Sequence, residues 1–498
     1  MEATRSAAQR PAHGLQSLAI DTSVYGLARV LVSMVGVLLV PVYTRFLTPA
    51  DYGVLENLAV LGYFVLTVFD AALPVAVVQR YIKTDDELDR HRLVGTAALC
   101  TFTFGGVAIL VGLGTGEYLG GYLVRRGPAE NLVLLGIALA GAAMTVQTSL
   151  FLSVFRARFD RRRYLWATLG PVTLTVVLSL VLIVGLRLGV AGAVLARTVG
   201  GLLSVLYCLG VLRDSIRIRH FSFPLLRQML VFGSPFAIGA VMTAIIRSSD
   251  RYFISALVAD PLPKIGLYSM AEKCMAPLQL ATAAFGLAWA PFALTVSRQA
   301  DAQQVHIRTF KLYVTATAFL VVALSMLAPI ALRILATAPY YPSARFTPAV
   351  GLYLSLYYLT YIGSLGLLLK ERSGALAPIV ATAAAVNIAL NLLWIPRWEV
   401  MGAIWATVVS VVIHNCLIYA VGEHYHRIGF PLARGLAVYG IAYLAGRLAL
   451  EGPLVGAGAL LVFVAAAWLF GFLEVNVLVG LVAAARPRLW PAPPRSGR

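Results

Sequence analysis

Arg187-Leu188-Gly189-Val190-Ala191-Gly192-Ala193-Val194-Leu195-Ala196 returns 210 residues later as Arg397-Trp398-Glu399-Val400-Met401-Gly402-Ala403-Ile404-Trp405-Ala406. Each copy places an Arg at a helix end, then a tight re-entry, then small residues along one helix face, the pattern that lets helices pack closely in lipid. Each copy also stands at the same point in a run of six apolar segments, so one half of the chain repeats the plan of the other. Multi-span proteins built from two repeated halves are mostly transporters, with the substrate path between the halves.

The composition sets the solvent in which this plan operates. Sixty per cent of the 498 residues are hydrophobic, only 12% are charged and the mean hydropathy is +0.83, whereas about 25% charged is normal for soluble domains. An all-α integral membrane protein is expected. A spanning helix needs about 20 apolar residues, and fourteen candidate segments can be found, beginning with 22–46 and ending with 454–482. The predicted plan is a tail (1–21), a six-helix lobe (22–212), a basic linker (213–228), a second six-helix lobe (229–421), an appended two-helix hairpin (430–482) and a second tail (483–498), with the two lobes around a central cavity. The amino-terminal 20 residues are polar and lack a small-residue cleavage site, so the first span reads as a signal-anchor.

The net charge of +18 does not point to nucleic acid, because Lys and Arg alternate from loop to loop. With the amino terminus in the cytoplasm, 26 of the 40 basic residues fall on cytoplasmic segments, 10 on the opposite side and 4 inside helices. The positive-inside rule then places both termini in the cytoplasm. The clusters at 156–163 and 213–227 carry the largest share of this bias, and they also suit contact with membrane lipids. Cys100, Cys208, Cys274 and Cys416 all sit in apolar segments without metal-ligand spacing, and neither metal nor cofactor is expected. The chain has no phosphate-binding glycine loop, no His-Glu-x-x-His and no Gly-x-Ser-x-Gly, and its loops are too short for a catalytic domain. It reads as a non-enzyme.

A charge at the bilayer centre costs about 2.5 to 3.5 kcal/mol on insertion scales, so intramembrane charges usually face a cavity and work there. The candidates are Arg29 in the first segment, Glu56 and Asp70 in the second, Arg247, Asp250 and Arg251 at the end of the seventh, and Glu272 and Lys273 at the start of the eighth. In a two-fold repeat these segments would face one another. Glu56, Tyr63 and Asp70 recur every seven residues and share a helix face, with Thr67 beside Asp70, and Arg247 and Arg251 share another. Arg29, Arg247, Arg251 and Lys273 are therefore candidate contacts for an anionic substrate. Glu56, Asp70 and Glu272 are candidate carboxylates for ion coupling or structural pairing. Arg197, one turn inside the sixth segment, reads as structural. His414, Asn415, Asn387 and Asn391 read as interhelical hydrogen-bonding residues. Pro41, Pro74, Pro171, Pro235, Pro277, Pro291 and Pro378 interrupt spans and mark expected hinges.

Two passages carry a family resemblance. Tyr25-Gly-Leu-Ala-Arg29, continued by Pro41-Val-Tyr-Thr44-Arg45-Phe-Leu-Thr48-Pro49-Ala-Asp51-Tyr52-Gly53, resembles the opening of the Wzx-type polysaccharide or O-antigen flippases. Asp250-Arg251-Tyr-Phe-Ile, with Ile265-Gly266-Leu-Tyr268-Ser269, Lys273 and Trp289-Ala-Pro291-Phe, resembles the start of that family's second lobe. The family belongs to the multidrug/oligosaccharidyl-lipid/polysaccharide exporter superfamily. The resemblance implies alternating access and a polyprenyl-diphosphate-linked oligosaccharide moved from the cytoplasmic to the outer leaflet of a bacterial inner membrane. It further implies drive by H+ or Na+ and work beside polysaccharide polymerase and chain-length proteins. Lipid II flippases and cation-coupled multidrug exporters share the superfamily and are the alternatives of the same fold. A membrane-embedded polymerase or glycosyltransferase is the alternative of another class.

Overall fold

In the computed structural model of this protein the described residues are Gly26, Ala28, 31–32, 34–70 and 72–473, with the backbone alone described at 68–70 and 373. Every regular element among them is helical. Nine of these helices are long and apolar enough to cross a bilayer, and the shorter apolar helices Met34–Phe46 and Pro453–Leu469 join them. The chain is an all-α, multi-pass membrane protein, and its large side chains stand outward, as Leu110, Leu206, Val231 and Leu461 do. In lipid that exposure costs nothing, and backbone polar groups are satisfied within each helix.

The prolines divide into two kinds. The expected second segment consists of Pro49–Asp70 and Leu73–Lys83, and the expected eighth of Pro261–Cys274 and Ala276–Val296. Pro74 and Pro277 open the second piece of each, in a first turn where a missing N–H breaks no bond. Pro171, Pro235 and Pro291 instead lie inside continuous helices. An internal proline frees the carbonyl four residues back. The Ser204 hydroxyl donates to the Ala167 carbonyl at 2.9 Å, and the Ser234 hydroxyl to the Val231 carbonyl at 3.1 Å. These are the carbonyls that Pro171 and Pro235 leave open, so a serine replaces each missing donor and the helix continues.

The repeat seen in the sequence is also a repeat of backbone conformation. Gly189 has φ 55°, and the residue aligned with it, Glu399, has φ 51° and breaks the long helix Leu376–Tyr425 into two arms. Directly after each break a glycine lets the chain fold back: a Cβ on Gly192 would lie 3.2 Å from the backbone of Leu182, and one on Gly402 would meet the Trp394 carbonyl oxygen. Glycine takes the left-handed region without penalty, but for Glu399 it costs about 1 kcal/mol or more. The Lys264 Nζ to Glu399 Oε1 pair at 2.6 Å is partly exposed and is worth about 0.2 to 1 kcal/mol. Glu399→Gly is therefore expected to match or exceed the parent in thermal unfolding of detergent-purified protein. Glu399→Ala, which keeps the strain and loses the pair, is expected to fall below it. The reverse order would remove backbone strain from this account.

Two compact units emerge from the packing. Among the described residues, the first comprises those up to 273 with 331–343 and 374–410, and the second 274–330, 344–373 and 411–473. The first unit has two apolar cores. One joins Leu73, Val77, Val94, Phe151, Phe155 and Met229. The other joins Leu47, Val54, Leu58, Leu134, Leu135 and Val190. In the second unit, small residues set the helix spacing: Gly446 approaches Ser325 and Pro348, and Gly456 approaches Met326. A buried hydrogen bond of 2.7 Å between Thr317 and Tyr439 adds polar specificity there.

Candidate functional site: a charged cavity in the first unit

The first unit contains a half-open cavity of about 460 Å3, within the usual range for ligand pockets of about 300 to 1,000 Å3. Its floor plan follows from helix periodicity. Pro49–Asp70 presents Tyr52, Glu56, Ala59, Tyr63 and Leu66, spaced by three or four residues and therefore on one face. Pro128–Ala157 contributes Ala138, Gly141, Ala142 and Thr145, and Gly189–Leu212 contributes Ala193, Val194, Arg197 and Thr198. The wall residues are largely small, which is why the packed helices leave room between them. Among the described residues the charged ones in the lining are Glu56, Arg197 and Lys273, whose formal charges leave a surplus of one positive charge.

Lys273 reaches this cavity because of a helix crossing built on two glycines. A Cβ on Gly53 would meet the Leu262 carbonyl oxygen, and a Cβ on Gly266 would meet the Pro49 carbonyl oxygen. The two contacts are reciprocal, since Gly53 precedes Gly266 by the same 213 residues by which Pro49 precedes Leu262. Such reciprocity is what a two-fold axis between repeated elements produces. The crossing brings Pro49–Asp70 and Pro261–Cys274 together, so that one turn beyond Gly53 and two beyond Gly266 the side chains of Glu56 and Lys273 meet at 3.8 Å. Both passages quoted for the family resemblance therefore contain a glycine of this contact. Gly53→Ala or Gly266→Ala is expected to cost about 1 to 3 kcal/mol, because the methyl group has only backbone to push against. The double variant is expected to cost less than the sum, since the first methyl already parts the helices. Melting temperatures of the purified variants check this, and two undiminished single variants would show that the crossing tolerates a Cβ.

The other sequence candidates are placed as follows. Tyr63 lines the cavity with Glu56, as the seven-residue stripe predicts. Asp70 ends the helix Pro49–Asp70, but its side chain lies outside the described residues, as does Arg29 altogether. Thr67 is buried and donates to the Tyr63 carbonyl at 2.7 Å. Arg251 and Glu272 are absent from the cavity lining and bind each other. The Arg251 guanidinium also meets Asp250 Oδ1 at 2.8 Å and lies over the Tyr268 ring at 4.4 Å, while the Tyr268 hydroxyl donates to Asp250 Oδ2 at 2.7 Å. Arg247 offers its carbonyl to Arg251 at 3.2 Å. Asp250 and Arg251 are buried and Glu272 is partly so, and each of these three charges faces an opposite charge within the cluster.

The polar amides behave as interhelical hydrogen-bonding residues. Asn387 donates across to Ser410 at 3.2 Å and accepts from Asn391, one turn along its own helix, at 3.0 Å, and Asn415 donates to the Leu356 carbonyl of another helix at 2.9 Å. Arg197 is the functional candidate that the sequence reading set aside as structural. It is exposed to the cavity and has no hydrogen-bond or ion-pair partner among the described residues. A signal for it was present in the repeat. The residue aligned with Arg197 in the second copy is Thr407, which satisfies itself on the Ala403 carbonyl at 3.1 Å. An arginine where the repeat has a self-satisfied hydroxyl is a departure that packing does not require.

Residues 18–296 match the model of a family described as polysaccharide biosynthesis protein. No curated protein sequence matches the chain significantly. Among solved structures, the chain is similar to the lipid II flippase MurJ in an inward closed conformation, with a TM-score of 0.66, 14% identity, and 90% of this chain and 98% of that one covered. It is similar to a multidrug resistance MATE family transporter of the MOP superfamily, inward-facing, with a TM-score of 0.60, 15% identity and coverage of 84% and 98%. A MOP superfamily transporter from Pyrococcus furiosus gives a TM-score of 0.54, 16% identity and coverage of 82% and 94%.

Proposed function

This chain belongs to the polysaccharide biosynthesis protein family, and on that premise we propose that it is a flippase for a polyprenyl-diphosphate-linked oligosaccharide destined for a surface polysaccharide such as O-antigen. The observation that carries the reading is the cavity in which, among the described residues, Arg197 and Lys273 outnumber Glu56. A diphosphate is the anion such a site suits, because Arg and Lys make charge-assisted hydrogen bonds to phosphate oxygens. A cationic drug would meet a surplus of like charge there. The volume of about 460 Å3 matches a head group, not a whole lipid, so the polyprenyl tail stays in the bilayer during transfer. The fold shared with a lipid II flippase supports the same class of cargo.

In this mechanism Lys273 exchanges Glu56 for the substrate phosphate. The 3.8 Å separation is a loose pair, and an entering anion competes for Lys273 while Arg197 supplies a second hold. Glu56 is then released to take up a cation, either H+ or Na+, which couples turnover to a gradient. Movement is alternating access between the two six-helix lobes predicted from the repeat, in a bacterial inner membrane with both termini cytoplasmic, alongside polymerase and chain-length proteins.

The test is purified protein in vesicles containing a polyprenyl-diphosphate-linked saccharide with a fluorescent sugar, scored by loss of signal to a membrane-impermeant quencher. Protein-dependent exposure of the label, faster when a proton or sodium gradient is imposed, is the expected result. Transport of a lipophilic cation and none of the saccharide lipid would overturn the reading. Glu56→Gln is expected to translocate without responding to the gradient.

A further inference from the structure

A second pocket, of about 560 Å3, lies away from the cavity at helix ends of the first unit. Its wall joins the last turn of Leu73–Lys83, the first turns of Glu87–Gly114 and the first turns of Phe223–Leu257. It presents Arg80, Lys83 and Arg92. Arg92 pairs with Asp89 at 3.2 Å, and Arg80 donates to the uncharged Gln228 side chain at 2.9 Å. Lys83 has no hydrogen-bond or ion-pair partner among the described residues. Two cations thus face this pocket without a carboxylate.

The residues flanking the pocket define where it sits in the membrane. Ile82, Leu88, Phe221, Phe223 and Val231, next to or a few residues from the lining positions, all expose large apolar side chains. In a membrane protein such side chains meet acyl chains, while helix ends that carry Arg and Lys meet the head-group layer. A polar pocket with surplus positive charge, edged by acyl-facing side chains, is shaped for a molecule with an anionic head and apolar tails. Basic pockets between helices at the membrane surface bind anionic lipid head groups for this reason.

We propose that this pocket holds the phosphate head group of an anionic phospholipid, with Arg80 and Lys83 on the phosphate and the acyl chains lying along Ile82, Phe223 and Val231. The lipid would bridge the ends of Leu73–Lys83 and Phe223–Leu257. The site is separate from the cavity and does not depend on the identity of the cargo.

The experiment is native mass spectrometry of the full-length protein in detergent, titrated with phosphatidylglycerol or with phosphatidylcholine of identical acyl chains. Phosphatidylglycerol is expected to bind at least tenfold more tightly than phosphatidylcholine. Arg80→Gln with Lys83→Gln is expected to weaken phosphatidylglycerol about thirtyfold, each surface cation near an anionic lipid contributing about a fivefold factor. The melting temperature without lipid is expected to be unchanged, and Lys83→Gln alone, which breaks no contact among the described residues and is expected to weaken phosphatidylglycerol about fivefold, provides an independent variant should the double substitution fail to fold. Arg197→Thr is expected to bind phosphatidylglycerol as the parent does, which separates this site from the cavity. Equal binding of the two lipids, or no loss in the variants, would overturn the proposal. Full displacement of the lipid by millimolar inorganic phosphate would assign the pocket to a free anion and overturn it as well.

Discussion

Replacing Arg197 with Thr is expected to leave a folded, normally abundant protein that no longer translocates a diphosphate-linked saccharide. The structural half of this expectation rests on the repeat, since Thr407 already occupies the aligned position and bonds to its own helix at 3.1 Å. Thermal stability should stay within roughly 0.5 kcal/mol of the parent, as for substitutions that break no packing or pairing. The functional half rests on Arg197 facing the cavity with no partner among the described residues. Losing a charged hydrogen-bonding group on an anion costs about 1.5 to 3 kcal/mol, a fall of about tenfold to a hundredfold in affinity for the head group. Arg197→Lys is expected to keep part of the activity, because an ammonium attracts phosphate but lacks the two-pronged donor geometry. Vesicle translocation and saccharide-lipid binding, measured beside melting temperature, check both halves. Undiminished translocation by Arg197→Thr would take Arg197 out of the site.

The second large effect is on stability and lies in the Asp250, Arg251, Tyr268 and Glu272 cluster. Removing one member of a buried ion pair leaves an uncompensated charge and costs about 3 to 5 kcal/mol, whereas removing all the charges together can be nearly neutral. Asp250→Asn or Arg251→Met alone should therefore give poorly folded protein. Arg251→Met combined with Asp250→Asn and Glu272→Gln should recover much of the yield and melting temperature. The same triple variant decides between structure and substrate contact for Arg251. If it folds and translocates, Arg251 only holds helices together. If it folds and does not translocate while saccharide-lipid binding falls, Arg251 touches the cargo.

Arg197 and Arg251 separate the features that composition and spacing predict from those that depend on helix packing. Membrane residence and helical class were legible in the sequence, because hydropathy is a sum over neighbours along the chain and a bilayer leaves the backbone few other solutions. The repeat was legible too, with its tight re-entry, but the positive φ that Glu399 shares with Gly189 was not, since a glutamate gives no sign of that conformation. That Glu56 and Tyr63 share one helix face followed from spacing alone; that this face lines a cavity came from the packing.

The fate of each intramembrane charge did not follow, because spacing fixes which residues share a helix face and not which neighbour that face meets. Arg197 and Arg251 are both cations in apolar helices, yet one looks into a cavity and the other is enclosed by Asp250 and Glu272. Adjacent residues on a helix do not normally face each other, yet Asp250 and Arg251 meet here, and Tyr268 and Glu272 reach the same pair from another helix. The prolines teach the same lesson. Pro171 and Pro74 look alike in sequence, but a serine 33 residues beyond Pro171 supplies the missing donor and keeps that helix whole. Long-range partners of this kind are decided by helix packing, and the packing turns on close contacts such as Gly53 against Leu262, where only the absence of a side chain lets the helices meet.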